Sequence, residues 1–213
     1  MPPETRPSTA GRPTGTPNPP TGDQEVRVTG GAMADANLLI NQVDRRAGMI
    51  VVMRLLGVDI GGVIIQPADD DEDTSFFGRN YLRTPAMPGV FEALATLSDG
   101  SFDEVHLVSK CGESTEQRTR EWLAHHDFHT RTGVPTARLH FCRTRPAKAP
   151  IARELGLTHF VDDRLEVLGY LDSVPHRYLF RPRPTEVDAH AAHLPGVHRV
   201  ESWPELVTAL RGG

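Results

Sequence analysis

The chain has 213 residues, 38% of them hydrophobic and 24% charged, and a net charge of −5. That length holds one ordinary domain plus an appendage, and that composition belongs to a soluble globular protein with enough apolar side chains for a core. The acidic balance excludes a general attraction to nucleic acid or to an anionic membrane, while leaving room for a local basic pocket.

Cys111 and Cys142 are the two cysteines. They make neither a disulfide framework nor a CxxC metal knuckle, which suits a reducing cytosol. The most apolar stretch, Met49 to Ile65, is broken by Arg54 and Asp59, so no run spans a bilayer. The N-terminus lacks a signal-peptide apolar region. The expected location is cytoplasmic, with no membrane partner.

In chain order, residues 1–50 read as a disordered or weakly structured extension. Over 1–32 proline recurs while bulky apolar residues are nearly absent, so burial cannot offset the entropy of ordering. Residues 33–48 carry Leu38, Leu39, Ile40 and Val43 in a pattern that predicts a short amphipathic helix. The folded domain is expected over 53–213. Strand-like runs occur at Leu55–Val58, Val105–Val108, Leu139–Phe141, His159–Val161, Arg177–Phe180 and Val197–Val200. Helical patterns alternate with them at Gly89–Leu97, Ser114–His125, Ala147–Leu155 and Leu165–Leu171, with a last helix from Pro204 to Leu210 behind a Ser202 cap. Such alternation predicts a doubly wound α/β domain, a parallel sheet with helices on both faces. Its strands, buried on both sides, read as continuous apolar runs.

Ligands of open α/β sheets sit beyond the carboxyl ends of the strands. The polar residues that follow the runs are Asp59, Ser109 and the pair Asp162–Asp163, so all of them fall on one rim. In VDIGGVI, Asp59 ends a buried strand and the Gly-Gly that follows lets backbone N–H groups approach an anion. Ser109 in LVSK offers a hydroxyl. Lys148 in RPAKAPIARELGL lies in a first helical turn, where the helix dipole disfavours a cation unless an anion is near. HFVDDRL places two carboxylates directly after a strand, and unpaired buried carboxylates call for a cation.

Read together, Asp, Ser, Lys, Asp-Asp, with Gly89 of MPGVFEAL opening the helix after the first loop, resemble the haloacid dehalogenase-like (HAD) superfamily of phosphohydrolases from about Leu55 to Leu210. The resemblance implies a Rossmann-like fold and a Mg²⁺-dependent phosphatase in which Asp59 attacks phosphorus to form an aspartyl-phosphate. It implies metal binding by Asp59, the backbone carbonyl of Gly61 and Asp163, with Asp162 either a further ligand or an acid just behind the ligands. Ser109 and Lys148 would hold the phosphoryl oxygens together with the N–H groups of Ile60 and Gly61. The spacings from Asp59 to Ser109 and from Ser109 to Lys148 are too short for a large cap domain, so the protein looks capless, which in the family goes with a large substrate or with a neighbouring subunit that covers the site. Lys110, Arg143, Arg145 and Arg164 would ring the mouth and favour an anionic substrate, and the overall acidity makes a phosphorylated small molecule the expectation over nucleic acid.

The first motif departs from the family at Gly61. Members usually carry there a second Asp, which protonates the leaving group and later activates water. An acid from Asp69–Asp73 is one substitute. The other reading is a catalytically impaired HAD-like protein that binds phosphate or a partner.

Further features have plainer accounts. His125, His126 and His129 include an i,i+4 pair of the kind that binds Zn²⁺, without a fitting third ligand. His190 and His193 have still less to recommend them, and Trp122 and Trp203 read as core. Cys111 is either a reactive thiol or a small loop residue. LLGVDIGG also looks like the phosphate hairpin of actin–hexokinase-type sugar kinases, but the second phosphate loop those proteins need is not found. Receiver domains place their acidic pair first and their Lys last, the reverse of this order.

Overall fold

The computed structural model describes residues 42–44, 49–51, 53–67 and 78–212. The expected disorder of 1–32, most of 33–48 and the acidic stretch Asp69–Asp73 lie outside those residues. Within 33–48 the described part is not helical. β1 (Gln42–Asp44) pairs antiparallel with β2 (Met49–Val51), Val43 opposite Ile50. The β-branched Val43, Ile50 and Val51 favour extended backbone, and a short isolated helix has no such ladder to sustain it.

The main sheet has six strands: β3 (Leu55–Val58), β4 (Glu104–Lys110), β5 (Leu139–Cys142), β6 (His159–Asp162), β7 (His176–Phe180) and β8 (Val197–Val200). Their order is β5-β4-β3-β6-β7-β8, and every pairing is parallel. The helices are α1 (Val90–Ser98), α2 (Glu113–His125), α3 (Phe128–Thr132), α4 (Lys148–Glu154), α5 (Leu165–Tyr170), α6 (Pro184–Ala189) and α7 (Trp203–Gly212). Sequence periodicity does not reveal α3 and α6, which carry too few apolar residues to show a buried face. Among the described residues no inserted domain interrupts the connections from β3 to β4 or from β4 to β5.

Successive side chains of a strand face opposite ways, and the two faces have separate cores. Leu56 and Val58 of β3, Leu107 of β4 and Val161 of β6 join Leu94, Trp122, Trp203 and Leu206 of the helices on one side. Leu55, Val108 and Phe160 join Ala152, Leu165 and Leu168 on the other. Gly57 shares that second face. A Cβ there would lie 2.4 Å from the Phe160 ring, so only glycine lets the ring close over β3.

This topology positions the site. The chain steps outward from β3 to β4 and β5, then returns to lay β6 on the other side of β3. Strand order reverses between β3 and β6, and a crevice opens at their carboxyl ends.

Candidate active site

Asp59 directly follows β3, and its N–H donates to the carbonyl of Val161 at 2.9 Å, which fixes it beside the end of β6. Asp162 ends β6 and is fully buried; Asp163 follows it. Lys148, the first residue of α4, is only 2% exposed. Its Nζ donates to Asp59 Oδ1 at 2.7 Å and to Asp162 Oδ2 at 2.8 Å. The other oxygen of Asp162, Oδ1, accepts the N–H of Arg164 at 2.9 Å. Ser109 is buried near the end of β4, adjacent to β3.

Asp59, Asp162 and Asp163 each offer a carboxylate oxygen, all within 4.8 Å of one another. Gly62 makes this approach possible. Its φ is +79°, and a Cβ would stand 2.7 Å from Asp163 Oδ2, so both the turn and the carboxylate behind it require glycine. These acids line one cavity of about 480 Å³ together with Ile60, Gly61, Ser109 and Lys148. Among the described residues the N–H groups of Ile60 and Gly61 find no backbone acceptor.

Charge does not balance within the cluster. Burial alone would depress the Lys148 ammonium, but the Asp162 and Asp59 carboxylates outweigh it and hold the group above its usual range. Burial pushes the Asp163 carboxyl up, and the negative charges of Asp162 and Asp59 push it further. Burial also raises Asp162, against the pull of Lys148. Three acidic side chains face one buried ammonium, with the Arg164 guanidinium 3.7 Å from Asp163. The donors are all oxygen and the excess is negative, which fits a hard divalent cation such as Mg²⁺. At the position of the missing acid, Gly61 is exposed, and a Cβ there would meet nothing within 4 Å.

Of the cations expected at the mouth, Lys110, Arg145 and Arg164 line the cavity. Arg143 does not. It turns instead to Glu116 at 2.9 Å and to the Cys111 carbonyl at 2.9 Å. Arg183, which sequence reasoning missed, lines the cavity from the turn after β7. Its signal was available, since it follows a strand whose end lies on the same rim.

Cys111 also reaches the cavity, but burial pushes its thiol up to about 11, so it is protonated near neutrality and not a reactive thiolate. In the histidine run, His126 Nε2 lies 3.0 Å from the Leu82 carbonyl and His129 Nδ1 lies 2.8 Å from that of Val134. No metal-binding cluster includes them among the described residues. His190 does approach Glu166 and Glu186 within 4.8 Å, yet Arg145 and Arg164 already pair with those glutamates.

The sequence matches no protein-family model and no curated protein. Among solved structures, it is similar to a haloacid dehalogenase-like hydrolase from Burkholderia xenovorans at 19% identity, over 57% of each chain, with a TM-score of 0.43. This chain thus spans a little over half of that protein. A haloacid dehalogenase-like protein from Agrobacterium tumefaciens is 12% identical over 75% of this chain and 98% of its own, with a TM-score of 0.47. A HAD-superfamily hydrolase of subfamily IA from Geobacter sulfurreducens is 13% identical over 74% and 96%, with a TM-score of 0.46. A function has to be read from the side chains of the site.

Proposed function

We propose that this protein is a HAD-like phosphohydrolase, a phosphatase that passes the phosphoryl group of a small phosphate ester to water by way of Asp59, with Mg²⁺ as cofactor. The Lys148 bridge carries the reading. A buried ammonium is held in its charged state between two carboxylates at the base of a cavity, where it can neutralise a phosphoryl group without any reorganisation.

Asp59 Oδ2, the oxygen that Lys148 leaves free, attacks phosphorus. The bond from phosphorus to the ester oxygen breaks, and an aspartyl-phosphate remains. Ser109 Oγ, Lys148 Nζ and the N–H groups of Ile60 and Gly61 donate to the phosphoryl oxygens through both transfers. Water then attacks the same phosphorus and frees Asp59 and inorganic phosphate. Asp59, Asp163 and the Gly61 carbonyl would hold Mg²⁺ with Asp162 behind, and the ion would supply charge to the phosphoryl oxygens and the crowded carboxylates. The departing alkoxide takes its proton from solvent, because Gly61 brings no carboxyl. General acid catalysis is worth roughly 10²–10⁴-fold, so substrates with good leaving groups are favoured.

Gly61 also favours a second reading, a HAD-like protein that binds phosphate or a partner and has lost turnover. Assaying phosphate release from p-nitrophenyl phosphate, with Mg²⁺ and with chelator, separates the two. The phosphatase reading expects Mg²⁺-dependent release that Asp59→Asn abolishes. It further expects Gly61→Asp, whose side chain has open space, to speed hydrolysis of alkyl phosphates by roughly 10²-fold or more. Absence of release from wild type and Gly61→Asp, with phosphate binding retained, would favour the binding protein.

We place this activity in the cytoplasm, where both thiols stay reduced. No helix among the described residues is long and apolar enough to cross a membrane. A second copy of the chain is the proposed cover for the capless site.

A further inference from the structure

Two arginines of the cavity are built in more firmly than a phosphoryl site requires. Arg145 Nη1 donates to Glu166 Oε2 at 2.8 Å, and the other oxygen of Glu166 accepts the Tyr170 hydroxyl at 3.0 Å. Arg164 Nη1 donates to Glu186 Oε2 at 3.3 Å, and the other oxygen of Glu186 accepts the N–H of Glu166 at 3.2 Å. The two anchors are therefore one connected network behind the cavity wall. Each arginine is also tied through its backbone to the phosphoryl site. The Arg145 carbonyl accepts the N–H of Lys148 at 3.1 Å, and the Arg164 N–H donates to Asp162 at 2.9 Å.

Scattered surface ion pairs gain little and cost side-chain entropy, whereas arginines held from behind are prepared for a ligand. A guanidinium has five N–H donors; Arg145 gives one to its anchor, and Arg164 gives one while its Nε faces Asp163 at 3.7 Å, so Nη donors of each fork remain for recognition of an acid. Lys148, Ser109 and the cation already serve the reacting phosphoryl group. We infer that Arg145 and Arg164 form a second anion subsite and that the substrate is a small phosphate ester bearing another acidic group, a carboxylate or a second phosphate. A cavity of about 480 Å³ has room for a metabolite of that kind. The inference deepens the phosphatase reading above and rests on it.

The test compares glycerol 3-phosphate, whose tail is neutral, with 3-phosphoglycerate and fructose 1,6-bisphosphate. Two readouts are taken in Mg²⁺: kcat/KM on the full-length protein, and calorimetric binding to the Asp59→Asn variant. A diacid should be preferred roughly tenfold or more in both readouts, by wild type in kcat/KM and by Asp59→Asn in binding. Arg145→Met and Arg164→Met should each collapse that ratio toward unity, and a ratio is insensitive to a general loss of activity. Whichever diacid wins distinguishes carboxylate from phosphate. Equal kcat/KM and equal binding for all three probes would overturn the inference and leave the phosphatase reading standing. Diacid-selective binding without hydrolysis would uphold the subsite and defeat the phosphatase instead.

Discussion

The two ends of β6 treat buried titratable groups in opposite ways. At its carboxyl end, Asp162 is fully enclosed and stays in a charged cluster, paired with Lys148 and crowded by Asp59 and Asp163. At its amino end, His159 is equally hidden but lies in a stack of rings. It faces His176 with centroids 4.5 Å apart and meets the edge of Phe102 at 4.9 Å. Burial, then the neighbouring His176 and Arg54, depress the His159 imidazole to about 3, so it is neutral near physiological pH. Burial thus removes charge at one end and leaves it concentrated at the other. A fold keeps an electrostatic excess that costs stability where chemistry uses it, and the contrast points to the carboxyl end as the working one.

The largest test of that contrast removes the buried cation of the cluster. Lys148→Met leaves Asp59 and Asp162 buried beside Asp163 without an ammonium, and should cost about 3–5 kcal/mol in urea unfolding without divalent cation. A loss below about 1 kcal/mol would mean that the carboxylates are not charged as described.

A smaller effect follows from Asp163. Its folded-state pKa is raised by burial and then by Asp162 and Asp59. For such a group the stabilising contribution is full below the ordinary carboxylate pKa and is lost as pH rises through the folded value. Metal-free protein should therefore lose stability as pH climbs from about 4 toward and past neutrality. Mg²⁺ should restore it, since a ligand of the folded state alone raises stability with concentration. The shift in Tm on adding Mg²⁺ should be larger at pH 8 than at pH 5. A shift of equal size at both, or none at either, would contradict a cation site made of these three acids.

How much of this was readable beforehand follows the physics of each element. The central strands β3, β4 and β6 were visible because strands covered on both faces are near-continuous apolar runs, and the rim residues because each ends such a run, whereas the edge strand β8, with His198 and Arg199 exposed, is no such run. α3 and α6 escaped because α3 buries only Phe128 and Thr132 and α6 buries nothing, whereas the equally short α5 shows three buried apolar residues. The β1–β2 ladder escaped because apolar residues at 38–43 suit a helix until a strand partner is known. Within the site, Asp59, Ser109, Lys148, Asp162 and Asp163 were expected around one cavity and do line one. That Lys148 would bridge two carboxylates was not readable, since a lysine in a first helical turn reads equally well as solvated. Nor was the separation of Arg143 from Arg145. Two residues apart in one loop, they part because Arg143 reaches Glu116 and the Cys111 carbonyl while Arg145 reaches Glu166.

The smallest effect belongs to the neutral end. His159→Phe keeps a ring in the stack and loses one hydrogen bond to the Thr158 hydroxyl, which still binds the N–H and carbonyl of Leu55. Near pH 7 the change should cost only about 1 kcal/mol. The informative response is in acid. Because the folded-state pKa of His159 is depressed, its contribution is present above the unfolded value of 6.5 and lost as pH falls toward about 3. The phenylalanine has no proton to take up, so the variant should lose less stability than wild type over that interval when urea midpoints are compared at pH 7, 5 and 4. If the two proteins fall in parallel, His159 is charged or solvated in the folded state, and the amino end of β6 resolves burial no differently from the carboxyl end.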